Sequence, residues 1–183
     1  MKYRTRLLEL LRTLSFERKR VILASGRESD FFIDCKQTAL TAEGHALLGR
    51  LMYEALDQLG QVDAVAGVEL GGCPLASAVS LTSYVRGTPM PALYVRKAQK
   101  DHGSRRMIEG DRSMRPGMRV AILEDVVTTG GSSLRAVDSL REVGVEVVGI
   151  VALVDRQEGG RETIEAGGLP LVSLFTRADF MGG

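Results

Sequence analysis

Two adjacent carboxylates, Glu124 and Asp125, stand between an apolar run and a segment of small hydroxylated residues. Residues 120–123 are typical of a strand covered on both faces, so the acids are expected where this strand emerges. Residues 128–133 read TTGGSS, and their hydroxyls, backbone N–H groups and glycines suit a helix start that binds an anion. The acids could hold sugar hydroxyls or a hydrated Mg²⁺. The pattern therefore predicts a phosphorylated sugar as ligand.

The alternative for this segment is an ordinary strand–turn–helix crossover whose acids are solvated. Such a crossover does not need two adjacent acids followed by six small residues, so the pattern favours a binding site. The apolar positions Leu134, Val137 and Leu140 recur at helical spacing, and Gly144 is the expected end of that helix.

Composition narrows the class of protein. The chain has 183 residues, of which 44% are hydrophobic, enough for a substantial core. Its 24 basic and 23 acidic residues nearly balance, which argues against a dedicated nucleic-acid binder. No apolar run reaches the length of a membrane span, and the amino terminus does not resemble a signal peptide. Cys35 and Cys73 form neither a metal-ligand spacing nor a disulfide framework, so a reduced, cytoplasmic protein is expected.

Strands and helices alternate along the chain. Apolar runs predict strands at residues 63–68, 92–95, 120–123, 147–154 and 171–175, and helical spacing predicts intervening helices. This order implies an α/β fold with a central, mostly parallel sheet flanked by helices. We find no internal repeat and no linker, so residues 1–183 are expected to form a single domain.

Two further segments could serve an anionic ligand. Residues 67–74 (GVELGGCP) run from a strand through glycines into a helix, although a tight crossover turn is the alternative. Both glycine turns would lie at the carboxyl edge of one sheet, where α/β proteins bind ligands. Residues 97–117 show no periodicity and carry excess positive charge, which favours a structureless active-site lid over a solvated surface loop.

The segment around Glu124 resembles the signature of the type I phosphoribosyltransferase family, which binds 5-phosphoribosyl 1-pyrophosphate (PRPP). Three more segments resemble the orotate-specific branch of that family. Residues 96–103 (RKAQKDHG) are similar to its catalytic loop, residues 25–32 (SGRESDFF) to its amino-terminal hood, and residues 155–160 (DRQEGG) to its base-binding stretch. The chain differs from many relatives at Ala24 and at Leu70 and Gly71, where they carry a lysine and an aromatic–lysine pair.

The resemblance implies a type I phosphoribosyltransferase fold with a small hood contributed by about residues 1–40. It implies transfer of the ribose 5-phosphate unit of PRPP to orotate, which gives orotidine 5′-monophosphate and pyrophosphate in pyrimidine biosynthesis. Mg²⁺ is the implied cofactor, held mainly through PRPP and not by a protein metal site. The implied assembly is a homodimer with active sites shared between subunits, without a nucleic-acid or membrane partner.

The resemblance also implies roles for individual residues. The catalytic residues would be Lys100, His102 and Asp125. The residues that contact PRPP would be Arg96, Lys97, Lys100, His102, Gly71, Gly72, Glu124, Asp125, Val126, Val127, Thr128, Thr129, Gly130, Gly131 and Ser132. The residues that contact orotate would be Phe31, Phe32, Thr128 and Arg156. The loop cations would stabilise charge on the departing pyrophosphate, and Arg156 could grip the orotate carboxylate with two parallel hydrogen bonds.

Two other functions are weighed against this one. A phosphoribosyltransferase for a purine or a free pyrimidine would share Glu124 and Asp125 but should lack the loop at residues 100–103 and the arginine of DRQE. A non-catalytic regulator on the same fold, which senses PRPP and binds RNA, fits poorly with the balanced charge and the loop cations.

Overall fold

The secondary structure of the computed structural model follows the predicted alternation of strands and helices. The structure describes residues 2–22, 28–97 and 107–182. In chain order, the strands are β1 (Phe16–Glu17), β2 (Val21–Ile22), β3 (Glu28–Ser29), β4 (Phe32–Ile33), β5 (Ala64–Val68), β6 (Ala92–Val95), β7 (Ile108–Glu109), β8 (Arg119–Val127), β9 (Glu146–Asp155) and β10 (Leu171–Thr176). The helices are α1 (Lys2–Leu10), α2 (Lys36–Ala39), α3 (Ala42–Ala55), α4 (Gly72–Val85), α5 (Gly131–Glu142), α6 (Gly160–Ala166) and α7 (Arg177–Met181).

Within the described residues, the central sheet has six strands in the order β10-β9-β8-β5-β6-β7. Neighbouring strands are parallel except for β7, which pairs antiparallel with β6. The predicted fold class, a mostly parallel sheet in an α/β arrangement, is confirmed. Because the strands are parallel, the carboxyl ends of β5, β6, β8 and β9 meet at one edge of the sheet, which is the usual position of a ligand site.

Helices cover both faces of this sheet. On one face, Leu48 and Met52 of α3 and Leu75 of α4 pack against alternate residues of the strands. On the other face, Val137 of α5 and Ile164 of α6 pack against the intervening strand residues. Strands buried on both faces must be apolar throughout, which explains the continuous apolar runs of β5, β8 and β9.

Two short antiparallel pairs, β1–β4 and β2–β3, lie near the amino terminus. The ring of Phe31, between these strands, packs against Phe16 and Phe180 with centroid distances of 5.1 and 5.6 Å. This aromatic cluster joins the amino-terminal strands to α7 at the other end of the chain. The single domain over residues 1–183, with a hood over about residues 1–40, stays a prediction.

The prediction of a structureless segment over residues 97–117 is wrong in part. Its second half contains β7, in which Ile108 is buried and pairs with Val95, and a helical turn at Asp111–Ser113. A two-residue strand is too short to produce a detectable period, so the sequence gives no signal for it. Residues 98–106, the first half of the predicted lid, lie outside the described residues.

None of the helices in the described ranges is long and apolar enough to cross a membrane.

Candidate active site

Glu124 and Asp125 lie in the part of β8 where pairing with β5 has ended and only pairing with β9 continues. β5 pairs with β8 up to Gly67 and Leu123, while β9 continues to pair with β8 as far as Val127. β8 ends four residues later than the predicted strand, so Glu124 and Asp125 lie within it and border an open edge where β5 has stopped. Successive side chains of a strand point to opposite faces, so the two carboxylates serve different layers of the protein.

Glu124 points toward α5. Its Oε1 accepts a hydrogen bond from Ser133 Oγ at 2.8 Å and a longer one from Ser132 Oγ at 3.4 Å. The side chain is buried, and this burial raises the pKa of Glu124 to about 7 despite the hydrogen bond from Ser133. Glu124 thus lies directly beside the start of α5, with its pKa raised into the neutral range by burial.

The turn before α5 has the geometry of an anion site. Gly130 has a φ of 80°, a left-handed conformation that favours glycine, and the helix begins at Gly131. The first backbone N–H groups of a helix have no partner within it and carry partial positive charge. Thr128 and Thr129 precede this helix start and Ser132 lies in its first turn, so the same segment carries three hydroxyl groups. The predicted phosphate loop therefore has donors suited to a phosphate group.

Asp125 points to the opposite face, toward the turn that precedes α4. A Cβ placed on Gly71 would lie 1.9 Å from Asp125 Oδ2, so the Gly71 backbone is in close contact with this carboxylate. Gly72 is packed equally closely, because its Cβ would lie 2.4 Å from the carbonyl oxygen of Leu123. A side chain at residue 71 would therefore displace the Asp125 carboxylate, whereas a side chain at residue 72 would collide with the backbone.

Two lysines lie near Asp125. Burial raises the pKa of Asp125, while the Val126 N–H, the Lys36 ammonium and the Lys97 ammonium act in the opposite direction. Lys36 begins α2 and pairs with Asp34 Oδ1 at 2.5 Å, and the preceding Cys35 Sγ lies 3.8 Å from the Asp125 carbonyl oxygen. Sequence reasoning missed Lys36, although its place in the DCK triplet directly after the hood segment was a usable signal.

Lys97, the first residue of the predicted loop, lies near Glu124 and Asp125. The Lys97 N–H donates to Glu69 Oε1 at 2.6 Å, which ties the loop base to the turn before α4. Arg96, Lys97 and Ser132 also line a cavity of about 190 Å³ between β6 and α5. Lys100 and His102, the other predicted loop residues, lie outside the described residues. A larger cavity of about 460 Å³ lies at the opposite edge of the sheet and contains none of the predicted site residues.

The predicted base-binding residues surround the ends of β8 and β9. The Arg156 N–H donates to the Val127 carbonyl oxygen at 3.0 Å, and Gly160 packs so closely on Thr128 that a Cβ would lie 2.7 Å from the Thr128 carbonyl oxygen. Val127 is buried, so it meets the site through its backbone. Arg156 and Thr128 are therefore neighbours, as a shared ligand requires.

Phe31 and Phe32, the two phenylalanines that the resemblance assigns to orotate, lie in different surroundings. The Phe31 ring is fully buried in the aromatic cluster, and the group that Phe31 presents to Arg156 is its backbone carbonyl, 2.9 Å from Nη2. The Phe32 ring is half-buried and lies beneath the Lys19 ammonium, 3.9 Å from the ring centroid. Of these two adjacent phenylalanines, Phe31 is thus a core residue and Phe32 a hood residue.

Known proteins match both this sequence and this fold. The profile of the phosphoribosyl transferase domain matches residues 36–167. The orotate phosphoribosyltransferase of Sorangium cellulosum is 71% identical over 97% of this chain and 93% of its own length.

Solved structures agree with the sequence match. Mycobacterium tuberculosis orotate phosphoribosyltransferase in complex with Fe(III) dicitrate has a TM-score of 0.83 and 42% identity, covering 98% of this chain and 99% of that chain. The complex of the same enzyme with PRPP has a TM-score of 0.78 and 37% identity, covering 98% and 92%. The chain belongs to the phosphoribosyltransferase family and, within it, to the orotate phosphoribosyltransferases.

Proposed function

We propose that this protein transfers the ribose 5-phosphate unit of PRPP to orotate, giving orotidine 5′-monophosphate and pyrophosphate for pyrimidine biosynthesis. The observation that carries the proposal is the position of Glu124 and Asp125. These carboxylates stand at one open sheet edge, between the anion site at the start of α5 and the glycine turn before α4. A phosphorylated sugar with a second phosphate-bearing group matches this order of sites.

The 5′-phosphate of PRPP would bind at the start of α5. The N–H groups of Gly130 and Gly131 and the hydroxyls of Thr128, Thr129 and Ser132 supply donors, and the helix dipole favours a dianion. Glu124 and Asp125 would accept hydrogen bonds from the ribose hydroxyls and thereby fix the sugar ring.

The pyrophosphate would leave on the Asp125 side. Gly71 and Gly72 let the chain approach it closely, and Arg96, Lys97 and Lys36 provide positive charge. In the transition state the anomeric carbon gains oxocarbenium character while negative charge grows on the pyrophosphate, so these fixed cations stabilise the transition state more than the ground state. We assign Lys100 and His102 to the same task once the loop excludes water.

Mg²⁺ is the cofactor we propose. No group of three or more metal-ligating side chains occurs among the residues that the structure describes. Mg²⁺ usually binds through one or two carboxylates, waters and substrate phosphates, and Glu124 and Asp125 fit that pattern. When bound with PRPP, the ion would neutralise charge that develops on the leaving pyrophosphate.

Orotate would bind against Arg156 and Thr128, with the hood around Phe31 and Phe32 covering the ring. An assay of the purified protein with PRPP, Mg²⁺ and four acceptors tests this assignment. We expect orotate to be consumed, and uracil to be a far poorer acceptor because it lacks the carboxylate that Arg156 pairs with. Faster turnover of adenine or hypoxanthine than of orotate would contradict the assignment.

The carboxylates provide a second test. We expect Glu124→Gln and Asp125→Asn each to lower kcat/KM roughly ten- to thousandfold, the scale of losing one positioning or charge-stabilising contact. Because both residues lie at the open sheet edge, circular dichroism should show a folded protein in each case. Near-normal turnover in the double variant would show that neither acid has a role in catalysis.

We further propose a homodimer in which the loop of one subunit serves the site of the other. An apolar face on the last turns of α4 supports an interface, since Leu81, Tyr84 and Val85 are 61%, 73% and 76% exposed. α4 runs from the glycine turn beside Asp125 to these exposed turns, which lie about 14–20 Å away along its axis. Cys35 and Cys73 are both free thiols, which supports a reducing compartment such as the cytoplasm.

Mixing two inactive variants tests the shared site. Lys100→Ala damages the loop, and Asp125→Asn damages the carboxylate site. If loops act across the interface, random reassociation of equal amounts should restore about a quarter of wild-type activity, because half the dimers are mixed and each has one intact site. No recovery after demonstrated subunit exchange would reject the shared site and leave the enzyme assignment untouched.

A further inference from the structure

Arg156 is held on one side by the hood. Its Nη2 donates to the Phe31 carbonyl oxygen at 2.9 Å and to Ser29 Oγ at 3.1 Å. Ser29 Oγ also accepts a hydrogen bond from the Phe31 N–H at 3.2 Å, so the hydroxyl is fixed by two donors. These contacts join residues more than a hundred positions apart in sequence. Arg156 thus connects the end of β9 to the amino-terminal strands.

A buried carboxylate holds the same guanidinium nitrogen from the other side. Glu158 Oε1 lies 3.0 Å from Arg156 Nη2, and the two side chains are only 10% and 11% exposed. The two groups form an ion pair, but their alignment falls short of a hydrogen bond. Neither oxygen of Glu158 has a hydrogen-bond donor among the described residues, and neither is accessible to solvent. A ligand in the site therefore cannot touch Glu158, which must act through Arg156.

Hydrogen bonds hold the backbone turn that brings Glu158 next to Arg156. Gln157 has a φ of 56°, a left-handed conformation that is uncommon for a residue other than glycine. Its N–H donates to Asp155 Oδ1 at 2.8 Å, and Asp155 Oδ2 accepts from Arg161 Nε at 3.2 Å. The chain thus reverses between Arg156 and Glu158 and places both side chains in the same buried space.

The guanidinium therefore has few free nitrogens. Three acceptors converge on Nη2, and Nε is buried without a hydrogen-bond partner within the described ranges. This leaves Nη1 as the nitrogen that the described residues do not enclose. A buried carboxylate without hydrogen-bond donors opposes folding, so its presence here is best explained by what it does to Arg156.

We propose that Glu158 is a positioning residue that fixes Arg156 so that Nη1 alone meets the carboxylate of the acceptor base. This inference rests on the proposed function and refines it: recognition uses one guanidinium nitrogen and not the two parallel hydrogen bonds expected from the sequence. The hood takes part, because Ser29 and Phe31 occupy the nitrogen that a second bond would need.

The test replaces Glu158 by glutamine, which keeps the shape and removes the charge. We expect the ratio of kcat/KM for orotate to kcat/KM for uracil to fall at least ~10-fold, mainly through a higher KM for orotate, because a freed guanidinium is misplaced. The KM for PRPP should stay within about twofold, since the change lies outside the donor site. Glu162→Gln, which removes an exposed acid from the neighbouring α6, is the matched control and should leave the ratio unchanged.

Two further variants separate positioning from other roles. In an Arg156→Lys background, Glu158→Gln should leave the orotate-to-uracil ratio within about twofold, because the group that Glu158 positions is gone. Glu158→Asp retains the charge and should restore part of the ratio.

Three results would overturn the proposal. A lower KM for orotate in Glu158→Gln would show that the carboxylate merely repels the anionic substrate. Equal losses for orotate and uracil would show a general collapse of the pocket, and an unchanged ratio would show no role in recognition. Failure of the proposed function is a distinct result, since it would appear as no orotate turnover in the wild-type protein.

Discussion

Replacing Gly71 by alanine is expected to impair catalysis by displacing the Asp125 carboxylate. A Cβ at residue 71 would lie 1.9 Å from Oδ2 and 2.2 Å from Cγ of Asp125. The carboxylate would have to move by about 1.5 Å to reach an ordinary contact of ~3.4 Å. This movement would disturb the 2.9 Å hydrogen bond that the Val126 N–H donates to Oδ1. Since misplacement by ~1 Å costs on the order of 10²-fold, we expect kcat/KM to fall ~100-fold, equivalent to about 3 kcal/mol of transition-state stabilisation.

A double-mutant cycle checks this reasoning. Orotate consumption is measured for Gly71→Ala, Asp125→Asn and the double variant, and thermal melting confirms that each is folded. Because the alanine acts through Asp125, the double variant should be no more than about threefold less active than Asp125→Asn alone. The control Gly167→Ala adds the same methyl group at the end of α6, 3.2 Å from its nearest heavy atom, and should retain activity. Activity of Gly71→Ala within threefold of wild type, or multiplicative losses in the double variant, would refute the mechanism.

Two other predictions concern the titration of the carboxylates. The pKa of Glu124 is raised by burial from 4.5 to about 7, so between these values the folded protein holds a proton that the unfolded chain has lost. The free energy of unfolding, relative to Glu124→Gln, should therefore fall by roughly 3 kcal/mol as the pH rises from below 4.5 to above 7. Urea denaturation of both proteins at several pH values measures this difference, and a constant difference would contradict the prediction. Lys36→Met removes an ammonium that lowers the pKa of Asp125, so the acid limb of the kcat/KM profile for PRPP should move to higher pH. Lys2→Met, which removes an exposed ammonium, is the control. If the pH profiles of Lys36→Met and the wild-type protein superimpose, Lys36 has no effect on Asp125 and only pairs with Asp34.

The parts of this site that could be predicted from the sequence are those set by local pattern. Apolar runs located β5, β8 and β9, and the TTGGSS segment located the start of α5 because glycine and hydroxyl residues have few other reasons to cluster there. The opposite orientation of Glu124 and Asp125 was not predicted, because both acids lie beyond the predicted end of the strand at residue 123. The length of β8 was not predictable, because its last residues are held by pairing with β9 after β5 has ended.

The parts that could not be predicted depend on contacts between distant segments. Phe31 and Phe32 are identical in type, and the partners that bury the first ring, Phe16 and Phe180, come from opposite ends of the chain. The role of Glu158 depends on the left-handed backbone at Gln157, which no local residue pattern signals. Gly71 looked like a departure from the family pattern, and only the structure shows that a side chain there would displace the Asp125 carboxylate.

The alternation of Glu124 and Asp125 also explains how one strand can organise a ligand with two anionic ends. Glu124 lies with α5, whose first turn supplies the donors for a phosphate, and Asp125 lies with the glycine turn, Lys36 and Lys97. In the proposed binding mode, a sugar ring held between these carboxylates would have its 5′-phosphate on one face of the sheet and its pyrophosphate on the other. The bond between ribose and pyrophosphate would then lie at the open edge left by β5. Arg156 and Thr128, the proposed base-binding residues, lie beside that edge because β9 continues alongside β8 to its end. The early end of β5 thus leaves the space in which, on the proposed function, donor and acceptor would meet.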